Sequence, residues 1–147
     1  MKKIALISLF LIVAIIFANS GVAAPPKVGE FQLNEISGSG CGMTLWRQNR
    51  AEKNKLVFFN GLEKNSMEMK INGKITKFSR IKASGKEFYG QRTLQTFSNQ
   101  DGKIMVDVAV KLGAKGEIES VAIKEGTIRV KQNGQEVKVP VIGDAGC

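Results

Sequence analysis

Histidine is absent from all 147 residues. With it go the commonest general base and the commonest zinc ligand. Cysteine occurs only at Cys41 and Cys147. No Cys-x-x-Cys pair is available for thiol exchange, and no histidine to make either sulfur a nucleophile. The 13 acidic residues are scattered among 22 basic ones, with no Asp-x-Asp-x-Asp-Gly loop for calcium. The glycine-rich stretch at residues 38–42 lacks the Gly-Lys-Ser/Thr signature and the following helix of a phosphate loop. Aromatic residues make up 7% of the chain, with one tryptophan, one tyrosine and eight phenylalanines, few for stacking nucleic-acid bases. No run of apolar residues reaches the ~20 needed to span a bilayer as a helix. No catalytic residue, cofactor or metal is expected from these absences.

What is there begins with a charged start, Lys2 and Lys3, followed by an apolar run over residues 4–18 broken only by Ser8. The small residues Gly21, Val22, Ala23 and Ala24 then lead to Pro25-Pro26. This order reads as a secretory signal peptide over residues 1–23. Cleavage after Ala23 keeps Pro25 away from the position next to the cut. The chain is then exported, periplasmic or extracellular, and residues 24–147 are long enough for one domain with its own core.

Export favours an oxidising compartment, where two cysteines read as a bridge. Cys41 and Cys147 are expected to pair within the chain, closing a loop of about a hundred residues and tying the last residue of the sequence to a strand near Met43. The alternative, a bridge between two copies, gives a dimer; the internal bridge uses both sulfurs and predicts a monomer. Gly38, Gly40 and Gly42 are expected to give the backbone freedom around the sulfur.

The remainder reads as strands. Candidates lie at residues 31–36, 43–48, 56–60, 67–71, 75–83, 88–98, 103–112, 117–123, 127–132 and 135–142. Met67, Met69 and Ile71 alternate with Glu68 and Lys70, the signature of a half-buried strand. Asn72-Gly73 and Asn133-Gly134 supply the positive φ values of tight hairpins. The second hairpin sets Val130 against Val137, Ile128 against Val139 and Lys131 against Glu136. A three-residue loop at residues 100–102 would set Leu94 against Val108 and Thr96 against Val106. Ile75, Phe78 and Ile81 lie three apart, which breaks alternation and predicts a bulge. About eight or nine short strands with regular turns give an all-β antiparallel sandwich or small barrel. Trp46 should face away from Met43 and Leu45, covering a buried disulfide; an exposed platform for sugar stacking is the competing role.

Charge supplies the functional expectation. Residues 47–92 hold 12 basic and 4 acidic residues, whereas residues 93–147 hold 7 of each. Within that middle third, Lys74, Lys77, Phe78, Arg80 and Lys82 are the candidate ligand-binding residues. Lys74, Thr76, Phe78, Arg80 and Lys82 form one basic ledge provided no bulge intervenes. Such a ledge attracts phosphate, sulfate or carboxylate groups; equally, it is the solvated face of a soluble protein. Expected partners are an acidic glycan, a lipid headgroup or an envelope protein, and not nucleic acid.

Two catalytic or metal readings need testing against structure. Met67 and Met69 share a strand face and have the softness for Cu(I), but two methionines without histidine or a free cysteine make a thin site, and core packing is the role expected of them. Glu63, Glu68 and Glu87 would have to converge to make a carboxylate pair. A non-catalytic binding module is expected, with a structural or protein-interaction role through a sheet edge as the alternative and an enzyme last.

Overall fold

The computed structural model describes residues 21–50 and 52–147. The signal peptide expected over residues 1–23 falls almost wholly outside them. Nine strands account for the fold: β1 (Val28–Gly29), β2 (Gly42–Arg47), β3 (Leu56–Asn60), β4 (Met67–Ile71), β5 (Lys74–Phe88), β6 (Gln91–Asn99), β7 (Ile104–Lys115), β8 (Ser120–Gln132) and β9 (Gln135–Gly146). Each of β2 to β9 pairs antiparallel with the next, β4 also pairs with β5, and β2 closes on β9. The result is an eight-stranded up-and-down barrel, with β1 as an extra strand against β4. Cys41 and Cys147 are bonded one rung beyond the Gly42–Gly146 pair, so the bridge staples the seam where the barrel closes. Cys147 is exposed and Cys41 half-buried; the disulfide is therefore not the buried one that Trp46 was expected to cover.

An interior of eight strands is just wide enough for side chains to fill. Met43, Leu45, Phe58, Met67, Met69, Phe78, Phe97, Val106, Ile128, Val130 and Val141 fill it, and the Phe58 and Phe97 rings meet edge to face at 5.7 Å. Met67 and Met69 are wholly enclosed there, where they serve as packing. The outer wall carries Lys77, Lys82, Asp107, Lys111, Arg129 and Lys131, all accessible in some degree. An apolar interior within a charged exterior is the reverse of a lipid-spanning barrel. Among the described residues, no helix is long and apolar enough to cross a membrane.

β3 is buried along its whole length because a second apolar cluster lies outside the wall. Phe31, Trp46, Leu56 and Phe59 form it, joined by Ile36, Ile75 and Ile142. Trp46 thus faces away from Met43 and Leu45, as alternation requires, and the segment before β2 covers it. That segment is not the strand expected at residues 31–36. Phe31 makes one bridge to Leu56, and Leu33–Glu35 is a 3-10 turn in which Gln32 and Glu35 cap each other. Glu68, also on the outer face, accepts from Ser37 N (3.2 Å), Ser37 Oγ (3.0 Å) and Gly38 N (3.0 Å) and pins the segment down. Of the three glycines here only Gly40 uses a positive φ; a side chain on Gly38 would collide with the Phe59 ring.

The two Asn-Gly hairpins form as expected, with positive φ at both positions and the Val130–Val137, Ile128–Val139 and Lys131–Glu136 pairs in place. The β6–β7 hairpin differs by one residue. Phe97 stands opposite Val106, Gln95 opposite Val108 and Leu94 opposite Ala109. The Asn99 side chain accepts from Ile104 N at 2.9 Å and Asp101 from Lys103 N at 2.9 Å, which makes a four-residue loop of residues 100–103. The segments expected at 117–123 and 127–132 are one strand, β8, whose pairing to β9 shifts between Ile123 and Gly126.

Candidate anion-binding surface

β5 carries all five of the ligand-binding residues expected from sequence. Its bulge lies between Arg80, opposite Phe97, and Lys82, opposite Thr96. Before it, Lys74, Thr76, Phe78 and Arg80 share the side of Ile71, Met69 and Met67, which faces the barrel interior. After it, Lys82 lies on the outer side with Thr96. The single ledge therefore does not form: the extra residue at Ile81 reverses which face the lysine occupies. Phe78 is 1 % exposed and belongs to the core, so it is not available to a ligand. Arg80 is half-buried, with Nη1 donating to Gln95 Oε1 at 3.0 Å and to Gly90 O at 3.2 Å. It closes a buried chain in which Gln95 donates to Gln91 and Gln91 bonds Asn60 and Gly61. Arg80 is thus a structural cation.

Lys74, Lys77 and Lys82 remain exposed. The ladder from β5 to β6 begins only at Phe78, so residues 74–77 are paired on the β4 side alone. A groove of about 560 Å³ opens in that gap, lined by Lys74, Thr76, Lys77, Asn99, Gln100 and Asp101 among others. Lys82 lies on a second hollow of about 400 Å³ on the outer wall, with Ser84, Leu94, Thr96, Asp107 and Arg129. The structure therefore brings Lys74 and Lys77 together and sets Lys82 apart.

Unpaired lysines are more numerous on β5 than on any other strand, β7, β8 and β9 each carrying one (Lys115, Lys124 and Lys138). Arg47 and Arg50 pair with Glu30, Lys55 with Glu52, Lys70 with Glu35, Arg92 with Glu87, Lys111 with Glu125, Arg129 with Glu136 and Lys131 with Asp107. Lys55 donates to Glu52 and holds its carboxyl below the ordinary range. Glu35 is held low by the Gln32 backbone N–H and then by Lys70. Among the described residues, no carboxylate lies within ion-pair distance of Lys74, Lys77, Lys82 or Lys86. Glu68 sits directly across from Lys77, but its oxygens are taken by Ser37 and Gly38. With Glu87 held by Arg92, two of the three carboxylates that might have formed a catalytic pair are engaged elsewhere. The described residues contain no grouping of three carboxylates or thiolates fit to hold a metal ion.

A third groove was not legible in the sequence. Val28, Glu30, Arg47, Gln48, Asn49, Arg50 and Pro140 line a cleft of about 580 Å³. Arg47 and Arg50 sit in a stretch that reads as a strand end and polar loop. The short β1–β4 pairing and the single Phe31–Leu56 bridge, neither with a periodicity to betray it, bring Glu30 to them. Comparison with known protein families, with curated proteins and with solved structures finds no match to this chain.

Proposed function

We propose that this chain is an exported, non-catalytic β-barrel module that binds an anionic envelope or extracellular component, an acidic glycan or a lipid headgroup, through the basic surface around β5. The observation that carries it is the grouping of four lysines without ion-pair partners, Lys74, Lys77, Lys82 and Lys86, on β5, where among the described residues no other strand carries more than one such lysine (Lys115 on β7, Lys124 on β8, Lys138 on β9). Uncompensated cations crowded on one strand draw polyanions at low salt even where a bulge divides them between two hollows. The packed interior supports an external site, since Phe58, Phe78 and Phe97 occupy the space a lipocalin-like ligand would need. The signal sequence and the disulfide support a location outside the cytoplasm.

The test is retention of the oxidised protein on a sulfated-glycan column and on vesicles of anionic lipid. Replacing Lys74, Lys77 and Lys82 together with glutamine should move elution to markedly lower salt. Arg80 stays, because it holds Gln95 and Gly90. A shaped site holds the wild type beyond about 0.5 M salt, where the Debye length is only a few ångströms. Unchanged retention of the triple variant rejects this surface and favours the alternative, a protein-interaction role through the free β5 edge at residues 74–77.

A further inference from the structure

We propose that the groove beside Pro140 is a subsite for a hydroxylated carboxylate, the chemistry of a uronic-acid unit in an acidic glycan. This rests on the anion-binding reading above and narrows it. Arg47 and Arg50 each turn Nε onto the same oxygen, Glu30 Oε1, at 3.3 Å. That oxygen is enclosed and receives no well-directed hydrogen bond. One carboxylate between two guanidiniums leaves a net positive groove whose cations are held in place by the anion among them. Arg47 is further fixed by Nη2 donating to Val28 O at 2.7 Å. Arg50 is 51 % exposed, and its outer nitrogens make only a 3.5 Å contact to Glu30 Oε2.

The free fork of Arg50 suits bidentate capture of a carboxylate. Glu30 Oε2 keeps acceptor capacity that a hydroxyl beside that carboxylate fills. A bare inorganic anion such as fully ionised phosphate has no hydroxyl-bearing carbon chain to satisfy this oxygen. A carboxylate on a polyol brings both a neighbouring hydroxyl and the planar pair of oxygens that matches the guanidinium fork. Gln48 and Asn49 add amides that donate and accept, while Val28 and Pro140 supply an apolar wall for ring carbons. The groove also adjoins the one at Lys74 and Lys77. Val28 on the first is paired with Ile71 on the second, and Asn72 N donates to Lys27 O at 2.9 Å. A linear acidic chain can therefore lie across both.

The experiment is calorimetric titration of the full oxidised chain at fixed salt with oligogalacturonate, a sulfated glycan and inorganic polyphosphate, for wild type, Glu30→Gln and Arg50→Gln. Arg50→Gln should weaken oligogalacturonate binding about tenfold, the loss of one charge-assisted hydrogen-bonding fork. Glu30→Gln should weaken it as well, although the substitution makes the groove more positive, and should leave polyphosphate binding equal or tighter. A surface acting by charge alone gives the opposite sign, with Glu30→Gln tightening all three; tighter or unchanged oligogalacturonate binding overturns the subsite. Should Glu30→Gln fail to fold, Arg50→Gln decides, since its side chain lies on an exposed loop: unchanged affinity for oligogalacturonate overturns the proposal. Wild-type protein that binds none of the three polymers rejects the anion-binding reading and the subsite together. Polymer binding that depends on Lys74 and Lys77 but not on Arg50 or Glu30 rejects the subsite alone.

Discussion

Asp107 stands on the outer wall of β7 between two donors, Thr96 Oγ at 2.8 Å and Lys131 Nζ at 2.9 Å. Partial burial works to raise its pKa, and the hydrogen bonds from Lys131 and Thr96 outweigh it, so the carboxyl is held below its ordinary value. Lys131 is correspondingly raised, first by that same hydrogen bond. A carboxyl depressed in the folded state gives stability that is fully present above its unfolded pKa, about 3.9. That stability is lost as pH falls through the lower, folded value. Both side chains are more than a third exposed, which limits the contribution to about 1 kcal/mol or less. We expect Asp107→Asn to be slightly less stable than wild type at pH 7 and to converge with it as pH falls through the depressed, folded-state value. Thermal melts at a series of pH values test this, and a gap that persists undiminished at low pH contradicts it. Neither this triad nor the Glu30 pair was visible in sequence. Lys131 opposite Glu136 was, because two residues flanking an Asn-Gly turn have their register fixed by the turn itself.

At the scale of single elements, β6 explains where pattern reading slips. Its inward positions include Gln91 and Gln95, both buried, while Leu94 points outward and is 50 % exposed. Polar residues inside and a leucine outside invert the usual alternation, so nothing in the pattern corrected the three-residue turn expected at residues 100–102, which placed the partner strand one residue away. The inversion has a physical reason: the two glutamines form the amide chain from Asn60 to Arg80 that holds the β5–β6 hairpin against the β3–β4 loop. Gln91→Ala strands Asn60 Nδ2, Gly61 O and Gln95 Nε2 without partners. It should cost about 2–3 kcal/mol, read as a lower urea midpoint with unchanged slope. Arg80→Gln, at the half-exposed end of the chain, should cost less. The reverse order would mean that Arg80 and not the buried amides secures the hairpin. β5 taught a similar lesson: the three-residue spacing of Ile75, Phe78 and Ile81 announced a bulge, and the bulge dispersed the basic residues whose grouping depended on its absence. β3, by contrast, was legible end to end, since an apolar run covered on both faces needs no alternation.

For the molecule as a whole, the all-β class, the single closed unit and the Cys41–Cys147 bond followed from turn spacing and the cysteine count. The choice of barrel over sandwich did not, because it depends on β2 meeting β9 through pairs as distant in sequence as Arg47–Val141 and Gly42–Gly146, and no local signal encodes that. The bond spans 106 residues. Replacing both cysteines with serine should cost at most about 4–5 kcal/mol in the chain-entropy view, measured by denaturant unfolding under non-reducing conditions. Thiol titration of the unreduced, unfolded wild type should find no free sulfhydryl. Two free groups per chain would remove the staple from the account.

Because the first long strand must wait for the last, the barrel cannot be completed while Gln135–Gly146 is still within the ribosome. Interior residues such as Met43 and Leu45 are left with one flank open until then, and distant pairings of this kind form slowly. A nascent chain that stays unfinished until its far end arrives is well suited to passing through a translocation pore as an open thread. On the exported reading proposed above, β9 is the last strand to reach the oxidising side, where the bond that locks the ring forms.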